Sequence, residues 1–202
     1  MFRLMRAARL AAGALVIATA AAHAAGGPGS ASEPDGLWTG PMQSYTPSTL
    51  KGAEVVDADG VAALAAKGDA VLIDVAPADR KPPTLPEGAL WAPQHRSIPG
   101  SAWFPGAGPG DLSPAQEAAL KARVLELAGG RLDRPMVTFC HPDCWGSWNM
   151  GKRLLGWGFR NVFWFPQGRE GWQESDRPTA VVKQDSVWAA AAKAEAGPAA
   201  PQ

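Results

Sequence analysis

Three short apolar runs, separated by helical patterns, constrain the fold of this chain more than any other feature. They are VLIDVA (71–76), PMVTFC (135–140) and NVFWF (161–165). Each run is almost continuously apolar, which is typical of a strand buried on both faces of a parallel sheet. A shorter strand, AEVV (53–56), is predicted ahead of them.

Helical patterns lie between these strands. One covers DADGVAALAAKG (57–68), and another covers GSWNMGKRLLGWG (146–158). A third begins at Ser113, which is followed by proline at the first helical position and by Gln116 where a capping box needs it. Strands that alternate with helices predict a single α/β domain, with an open, mainly parallel sheet and helices on both faces.

The first 24 residues have the composition of a secretory signal peptide. Three arginines precede a short alanine-rich run, which ends in the small-x-small pattern Ala22-His23-Ala24. This run is shorter than the roughly 18 residues that a membrane span requires. We expect residues 1–24 to be cleaved, the mature protein to be periplasmic, and no membrane span to be left after cleavage.

The rest of the chain divides by composition. Residues 25–52 are rich in Gly, Pro and Ser and are predicted to form a linker and an N-terminal arm. Residues 53–178 contain the strands and helices and form the predicted domain. Residues 179–202 end in alanine, proline and glycine and are predicted to be a flexible tail.

The charge balance argues against nucleic acid as a partner. The whole chain has 19 basic and 19 acidic residues, and removing the three leader arginines leaves 16 against 19, a net charge of −3. Binding to nucleic acid would require a basic patch. We therefore expect no nucleic-acid binding.

The chain has two cysteines, and both lie in the segment CHPDCWGSW (140–148). Cys140 ends a predicted strand just before a helix, at the edge of the sheet where open α/β proteins place their sites. A helix N-terminus lowers the pKa of a nearby thiol, so Cys140 is a candidate nucleophile. Three alternatives are open: inert burial, a short disulfide with Cys144, and a metal site, for which the pair has too few ligands.

The neighbouring residues are assigned supporting roles. His141 is a candidate proton donor. The tryptophans of the segment either wall a pocket or pack the loop onto the domain, and packing is the commoner role. Ser147 either binds substrate or caps the helix. The predicted substrate loop comprises His141, Asp143, Trp145, Gly146 and Ser147. Asp74 and Arg80 are predicted to support it, and no metal or cofactor is expected.

The order of these segments resembles the rhodanese-like domain family. VLIDVA with Asp74 is similar to the family's V-x-D-V/T-R, and IPGSAWFP (98–105) is similar to its I-P-G-A-x-N-I-P turn. VTFC matches the strand that leads to the catalytic cysteine, and LLGWGFRNVFWFPQGREGW (154–172) matches the G-F-x-N-V-Y signature. The resemblance implies that Cys140 accepts sulfur from a sulfane donor and holds it as a persulfide.

The loop departs from the common pattern of that family. Asp143 stands where a glycine is usual, Pro142 removes one backbone donor, and Ser97 replaces a histidine. The charge of Asp143 is expected to disfavour an anionic donor such as thiosulfate.

The C-x-x-x-C-W motif resembles that of one smaller group of proteins with rhodanese-like domains. Cys140, Cys144 and Trp145 match a group of exported proteins named for this motif and associated with alcohol catabolism dependent on pyrroloquinoline quinone (PQQ). The resemblance implies a periplasmic accessory role beside quinoprotein dehydrogenase components, with a small sulfur or thiol substrate. We expect thiol redox or sulfur-relay chemistry at Cys140 with Cys144 as the resolving thiol. Alternatives are a non-catalytic binding or assembly module and a copper relay through the two cysteines.

Overall fold

The computed structural model describes residue 27 and residues 29–196 of the chain. The predicted signal peptide, residues 1–24, lies outside the described residues. Within the described part, no helix is long and apolar enough to cross a membrane.

The centre of the structure is a five-stranded parallel sheet. Its strand order is β1-β6-β5-β2-β4, and every neighbouring pair in it is parallel. A separate antiparallel pair joins β3 to β7. The strands are β1 (Glu54–Val55), β2 (Val71–Asp74), β3 (Arg96–Ser97), β4 (Ala102–Trp103), β5 (Met136–Phe139), β6 (Val162–Phe165) and β7 (Ala180–Val181).

Five helices lie in the described part of the chain. They are α1 (Ala58–Ala66), α2 (Pro114–Leu127), α3 (Trp145–Gly156), α4 (Gly168–Glu174) and α5 (Ser186–Ala196). The α2 helix begins as the sequence predicts, because Ser113 Oγ accepts the Gln116 N–H over 3.1 Å and Gln116 Oε1 accepts the Ser113 N–H over 3.0 Å. The predicted α/β class, with its mainly parallel sheet, is confirmed.

The central strands bury side chains on both faces of the sheet. In β2, Ile73 packs on one side with residues of α2, α3 and α5, whereas Leu72 packs on the other side with residues of α1 and α4. All four residues of β2 and all four of β5 are buried. This two-sided burial explains why the strands read as continuous apolar runs, and it requires helices on both faces.

The prediction of a flexible tail from residue 179 is wrong for residues 180–196. β7 pairs with β3, and α5 packs against α2. Trp188 is 1% exposed, and its Nε1 donates to the Pro105 carbonyl over 2.8 Å. Asp185 caps the helix by accepting the N–H of Trp188 over 3.0 Å. The alanine-rich composition of this segment suggested a tail, but the burial of Trp188 and the capping by Asp185 hold it as a helix against the domain. Residues 197–202 lie outside the described part.

Candidate active site

The two cysteines are joined in a disulfide at the carboxyl end of β5. Cys140 directly follows the strand, and Cys144 is the N-cap of α3, with 6.2 Å between their Cα atoms. Cys140 is 0% exposed and Cys144 is 5% exposed. Of the alternatives left open by the sequence, the structure therefore has the short disulfide, and it is shielded from solvent.

Asp143 gives the loop its tight curvature. Its φ is 52°, in the left-handed region that glycine adopts freely and that aspartate tolerates better than most residues. The side chain is partly exposed at the surface of the loop.

The N-terminal arm crosses directly over this loop. We call residues 38–49 the arm. The Trp145 N–H donates to the Met42 carbonyl over 2.8 Å, and the Ser44 N–H donates to the Asp143 carbonyl over 3.0 Å. Gln43 thereby lies opposite Cys144 in an isolated antiparallel bridge. A backbone N–H at the start of α3, which would otherwise face an anion, is used to hold the arm.

Tryptophans fasten the arm to α3. Trp38 stacks on Trp145 with ring centroids 4.3 Å apart, and Trp145 contacts Trp148 edge-on at 5.4 Å. Asn149, which is fully buried, accepts the Trp38 N–H over 2.7 Å and donates to the Trp38 carbonyl over 2.9 Å. At the far end, Trp148 Nε1 donates to the Thr49 carbonyl over 3.1 Å. The tryptophans therefore pack the arm.

Three residues predicted to form the substrate loop lie in the interior. Trp145, Gly146 and Ser147 are all buried. Ser147 Oγ accepts from Trp164 Nε1 over 3.0 Å and donates to the Cys144 carbonyl over 3.2 Å. Since α3 begins at residue 145, these residues belong to its first turn, which faces the core. The structure places His141 and Asp143 at the accessible part of the loop.

Asp74 lies in a buried group of hydrogen bonds. It is fully buried at the end of β2, where its carboxylate lies 2.7 Å from His95 Nε2 and accepts from Ser97 Oγ over 2.5 Å and from the Ala76 N–H over 2.8 Å. Arg80 is exposed, and its side chain forms no hydrogen bond or ion pair within residues 29–196. The supporting role of Arg80 therefore stays a prediction, because its side chain makes no polar contact with the cysteine loop in the described part of the chain.

Arg169 and Glu170 complete the site, and sequence reasoning assigned them no role. The Arg169 guanidinium lies 3.2 Å from His95 Nδ1 and 3.1 Å from His141 Nε2, and Glu170 Oε1 lies 2.7 Å from His141 Nδ1. A polar chain thus runs from Asp74 to Glu170 past the cysteine loop. Both residues start α4, directly after β6. Because β6 neighbours β5 in the sheet, residues that follow β6 lie at the same carboxyl edge as the cysteine loop. This order of strands was the signal in the sequence that could have pointed to Arg169.

The neighbouring side chains of this polar chain also determine the ionisation of the Glu170 carboxyl. Burial alone would raise the pKa of this carboxyl, but the hydrogen bond and charge of His141, together with the charge of Arg169, hold it below its usual value. The site therefore presents one carboxylate that is ionised and already paired.

Two clefts flank the arm where it crosses the loop. One has a volume of about 360 Å³ and the other about 340 Å³, and Asp143 lines both. The first is bordered by Gly29, Thr46, Pro47, Ser48, Val55, Pro142, Asp143, Pro166 and Gln167, and the second by Gln43, Ser44, Tyr45 and Asp143. Among the described residues, no group of three or more His, Cys, Asp or Glu side chains is placed to hold a metal ion.

The family model for the rhodanese-like domain matches residues 57–175, more than half of the chain. This chain belongs to the rhodanese-like domain family. A comparison with curated proteins gave no match.

Several solved structures are similar to this chain at low sequence identity. A thiosulfate sulfurtransferase from Pseudomonas aeruginosa is 22% identical (TM-score 0.43), and the match covers 70% of this chain but 25% of the other. The 3-mercaptopyruvate sulfotransferase SseA from Escherichia coli is 20% identical (TM-score 0.46), with 66% and 54% covered. A polysulfide-sulfur transferase from Wolinella succinogenes is 16% identical (TM-score 0.41), with 68% and 82% covered.

Proposed function

We propose that this protein carries out sulfur-relay and thiol redox chemistry at Cys140, with Cys144 as the resolving thiol. The observation that carries the proposal is the disulfide between these residues in the loop that joins β5 to α3. A lone cysteine in this position needs an external acceptor to discharge its persulfide, whereas a cysteine pair can discharge it by forming its own disulfide.

The proposed cycle balances in three steps. The Cys140 thiolate attacks the outer sulfur of a sulfane donor R–S–S⁻, so that a persulfide forms on Cys140 and R–S⁻ leaves. Cys144 then attacks the inner sulfur of the persulfide, the protein disulfide forms, and hydrosulfide leaves with the proton of the Cys144 thiol. Two electrons thus pass from the two thiols to the sulfane sulfur, and a dithiol reductant later restores both thiols while it becomes a disulfide.

The polar chain beside the loop supports this chemistry. Arg169 fixes the loop, because its main-chain N–H donates to the Cys140 carbonyl over 3.0 Å. Its guanidinium places a positive charge beside His141, which directly follows Cys140. Positive charge and the N-terminus of α3 both favour a thiolate over a thiol.

We further propose that the mature protein works in the periplasm after signal-peptide cleavage, as an accessory to PQQ-dependent alcohol oxidation beside quinoprotein dehydrogenase components. The leader composition and the C-x-x-x-C-W motif support this placement. An oxidising compartment is also where a cysteine pair persists as a disulfide. Cell fractionation, with co-purification from cells grown on an alcohol, tests this placement. Recovery in the cytoplasm with an intact leader would overturn it.

The chemistry is tested with reduced protein and a sulfane donor. The wild type should release hydrosulfide and return to the disulfide. Cys144→Ser should gain one sulfur atom in mass and hold it, and Cys140→Ser should do neither. If Cys140→Ser releases hydrosulfide as fast as the wild type, the assignment of Cys140 is wrong.

A non-catalytic binding module is a second candidate, favoured by the arm's occupation of the Trp145 N–H. The same Cys140→Ser variant discriminates between the two functions in cells. A binding module would support growth on the alcohol at the wild-type rate, whereas a relay would not.

A further inference from the structure

The arm occupies the place where a partner would have to bind in order to reach the disulfide. We propose that residues 42–44 stand in for an extended, cysteine-bearing segment of a partner protein, which displaces them, pairs with the loop backbone and attacks Cys144. This inference rests on the proposed function, because it names the partner of the same disulfide.

The two cysteines are both buried, but they differ in their contact with the arm. Cys140 is 0% exposed and Cys144 is 5% exposed, and the arm lies against Cys144. A protein thiol that approaches from solvent therefore meets Cys144 first, and it does so only when residues 42–44 are lifted away.

The backbone of the loop selects what can replace the arm. Lifting residues 42–44 removes the acceptor of the Trp145 N–H and the donor to the Asp143 carbonyl. Once the arm is lifted, water reaches these two groups, so each hydrogen bond to an incoming peptide contributes a net of about 0.5–1.5 kcal/mol. An extended peptide restores both hydrogen bonds as an added strand does, whereas a small thiol restores neither. The site therefore favours a peptide segment over a small reductant.

The register of the bridge fixes where the partner's thiol belongs. The two hydrogen bonds flank the pair formed by Gln43 and Cys144, so this is a non-hydrogen-bonded pair, in which Cα atoms lie about 4.5 Å apart. This separation is within the range of about 4.4–6.8 Å that a disulfide spans. A cysteine at the position of Gln43 would therefore be placed to form a disulfide with Cys144.

Side-chain alternation agrees with this register. Met42 packs inward against the cluster that contains Trp145, and these two residues lie on one face of the bridge. Successive side chains of an extended segment point to opposite faces. Gln43 therefore shares the other face with Cys144, and its side chain is exposed. A cysteine at position 42 or 44 would point away from Cys144.

The arm is held at its two ends as well as at the crossing, where Ser44 Oγ also accepts from Trp145 Nε1 over 3.0 Å. Trp38 is fixed by its stack on Trp145 and by Asn149, and Thr49 is fixed by Trp148. Arm residues between these ends also line the two clefts of about 340 and 360 Å³. Displacing residues 42–44 breaks their own contacts with the loop and leaves those of Trp38 and Thr49 in place, and the clefts can take the neighbouring side chains of an incoming segment.

The thiol step is an exchange. The partner's thiolate bonds to Cys144 Sγ, the bond between Cys144 and Cys140 breaks, and Cys140 leaves as a thiolate. A second thiol of the partner then attacks the mixed disulfide, so that Cys144 is released and the partner carries the disulfide. The partner is therefore a dithiol protein, and it supplies the two electrons.

Synthetic peptides with the sequence of residues 38–49 test the register, one carrying Gln43→Cys and the other Ser44→Cys. With oxidised full-length protein, the Gln43→Cys peptide should form a mixed disulfide on Cys144, located by mass spectrometry of the digest, about tenfold faster than the other peptide. Equal rates for the two peptides, or capture on Cys140, would overturn the proposal.

Protein variants test whether the arm is the competitor. Ser44→Pro removes the N–H donated to Asp143, and Trp38→Ala removes the stack; each should speed capture of the Gln43→Cys peptide by about fivefold or more. Thr39→Ala, at an exposed arm position, is the control and should react as the wild type does. Unchanged rates of peptide capture in both Ser44→Pro and Trp38→Ala would contradict the proposal. If Ser44→Pro fails to fold, Trp38→Ala alone decides.

Dithiothreitol separates this proposal from the proposed function. If dithiothreitol reduces the disulfide and the reduced protein releases hydrosulfide from a sulfane donor, but the peptides show no dependence on register, the partner proposal alone fails. If the reduced protein releases no hydrosulfide, the proposed function fails.

Discussion

The main-chain N–H of Arg169 donates to the carbonyl oxygen of Cys140 over 3.0 Å, so the first residue of α4 after its glycine is tied to the first residue of the cysteine loop. The same residue carries the guanidinium that lies between His95 and His141. One arginine therefore both positions the loop and supplies the positive charge next to it.

Arg169→Gln should slow the reaction of the Cys140 thiolate. The substitution keeps the main-chain N–H but removes the charge, which disfavours ionisation of the thiol. In the reduced Cys144→Ser background, alkylation by iodoacetamide near pH 7 should fall about threefold to tenfold. Arg131→Gln, which removes an exposed arginine paired with Asp69, is the matched control. An unchanged rate at position 169 would show that its charge does not act on Cys140.

Gly168→Ala should destabilise the protein more than an ordinary left-handed glycine substitution does. Gly168 has φ 60°, and an added Cβ would lie 2.3 Å from the Cys140 carbonyl oxygen. Gly68 has φ 74° with open space around it, so Gly68→Ala measures the backbone cost alone, about 1–2 kcal/mol. We expect the steric clash to add about 2 kcal/mol at Gly168, measured as the free energy of unfolding in urea. Equal losses of unfolding free energy in Gly168→Ala and Gly68→Ala would mean that the cysteine loop shifts to make room for the added Cβ at no energetic cost.

Asp143 can be separated into a charge effect and a backbone effect. Asp143→Gly and Asp143→Ala both remove the negative charge, so both should accelerate the reaction with thiosulfate relative to a neutral sulfane donor, and the gain should shrink with added salt. The alanine variant keeps the left-handed φ of 52° with a Cβ present and should be the less stable of the two by about 1 kcal/mol. If only Asp143→Gly reacted faster with thiosulfate, the change in backbone conformation, and not the loss of charge, would explain the faster reaction.

The disulfide should contribute modestly to stability. Its cysteines are four positions apart, and closing so short a loop is worth about 2 kcal/mol in the chain-entropy treatment. Urea unfolding with and without dithiothreitol measures the difference, and the Cys140→Ser, Cys144→Ser double variant should be insensitive to the reductant. A loss above about 5 kcal/mol would mean that the pair is mainly structural.

Glu170 should make stability depend on pH in the acidic range. Its pKa is depressed in the folded state from an ordinary value of 4.5, so its contribution is complete above that value and is lost as the pH falls through the folded pKa. Below pH 4.5 the wild type should lose stability more steeply than Glu170→Gln, which cannot titrate. Glu174→Gln, on the exposed end of α4, is the control. If stability fell with pH equally in the wild type and in Glu170→Gln, the ionised Glu170 carboxylate would not contribute to stability through the polar chain.

The sequence predicted the parts of the fold that depend on local patterns. The apolar runs of β2, β5 and β6 and the capping box of α2 are short-range signals, and the structure confirms them. The placement of Cys140 at the carboxyl edge of the sheet followed from the order of strand and helix alone.

The parts that sequence missed depend on contacts between distant residues. His95 lies 21 positions after Asp74, beyond a Pro-rich loop, and no period links the two. Packing was the favoured role of Trp145, but its partner, Trp38, was not predicted because it lies in a segment rich in turn-forming residues. Trp188 was overlooked because its helix is otherwise alanine-rich, although it fills the core beside Pro105. In each case one long-range contact decides what the local composition leaves open.

The arm also imposes an order of events on the maturation of the protein. Its contacts with the loop join residues about 100 positions apart, with 99 between Gln43 and Pro142 and 101 between Ser44 and Trp145. Contacts that close so long a stretch of chain form late, after the strands and helices between them. We therefore expect the cysteines to meet an oxidant while they are uncovered, and the arm to close over a disulfide that is already made.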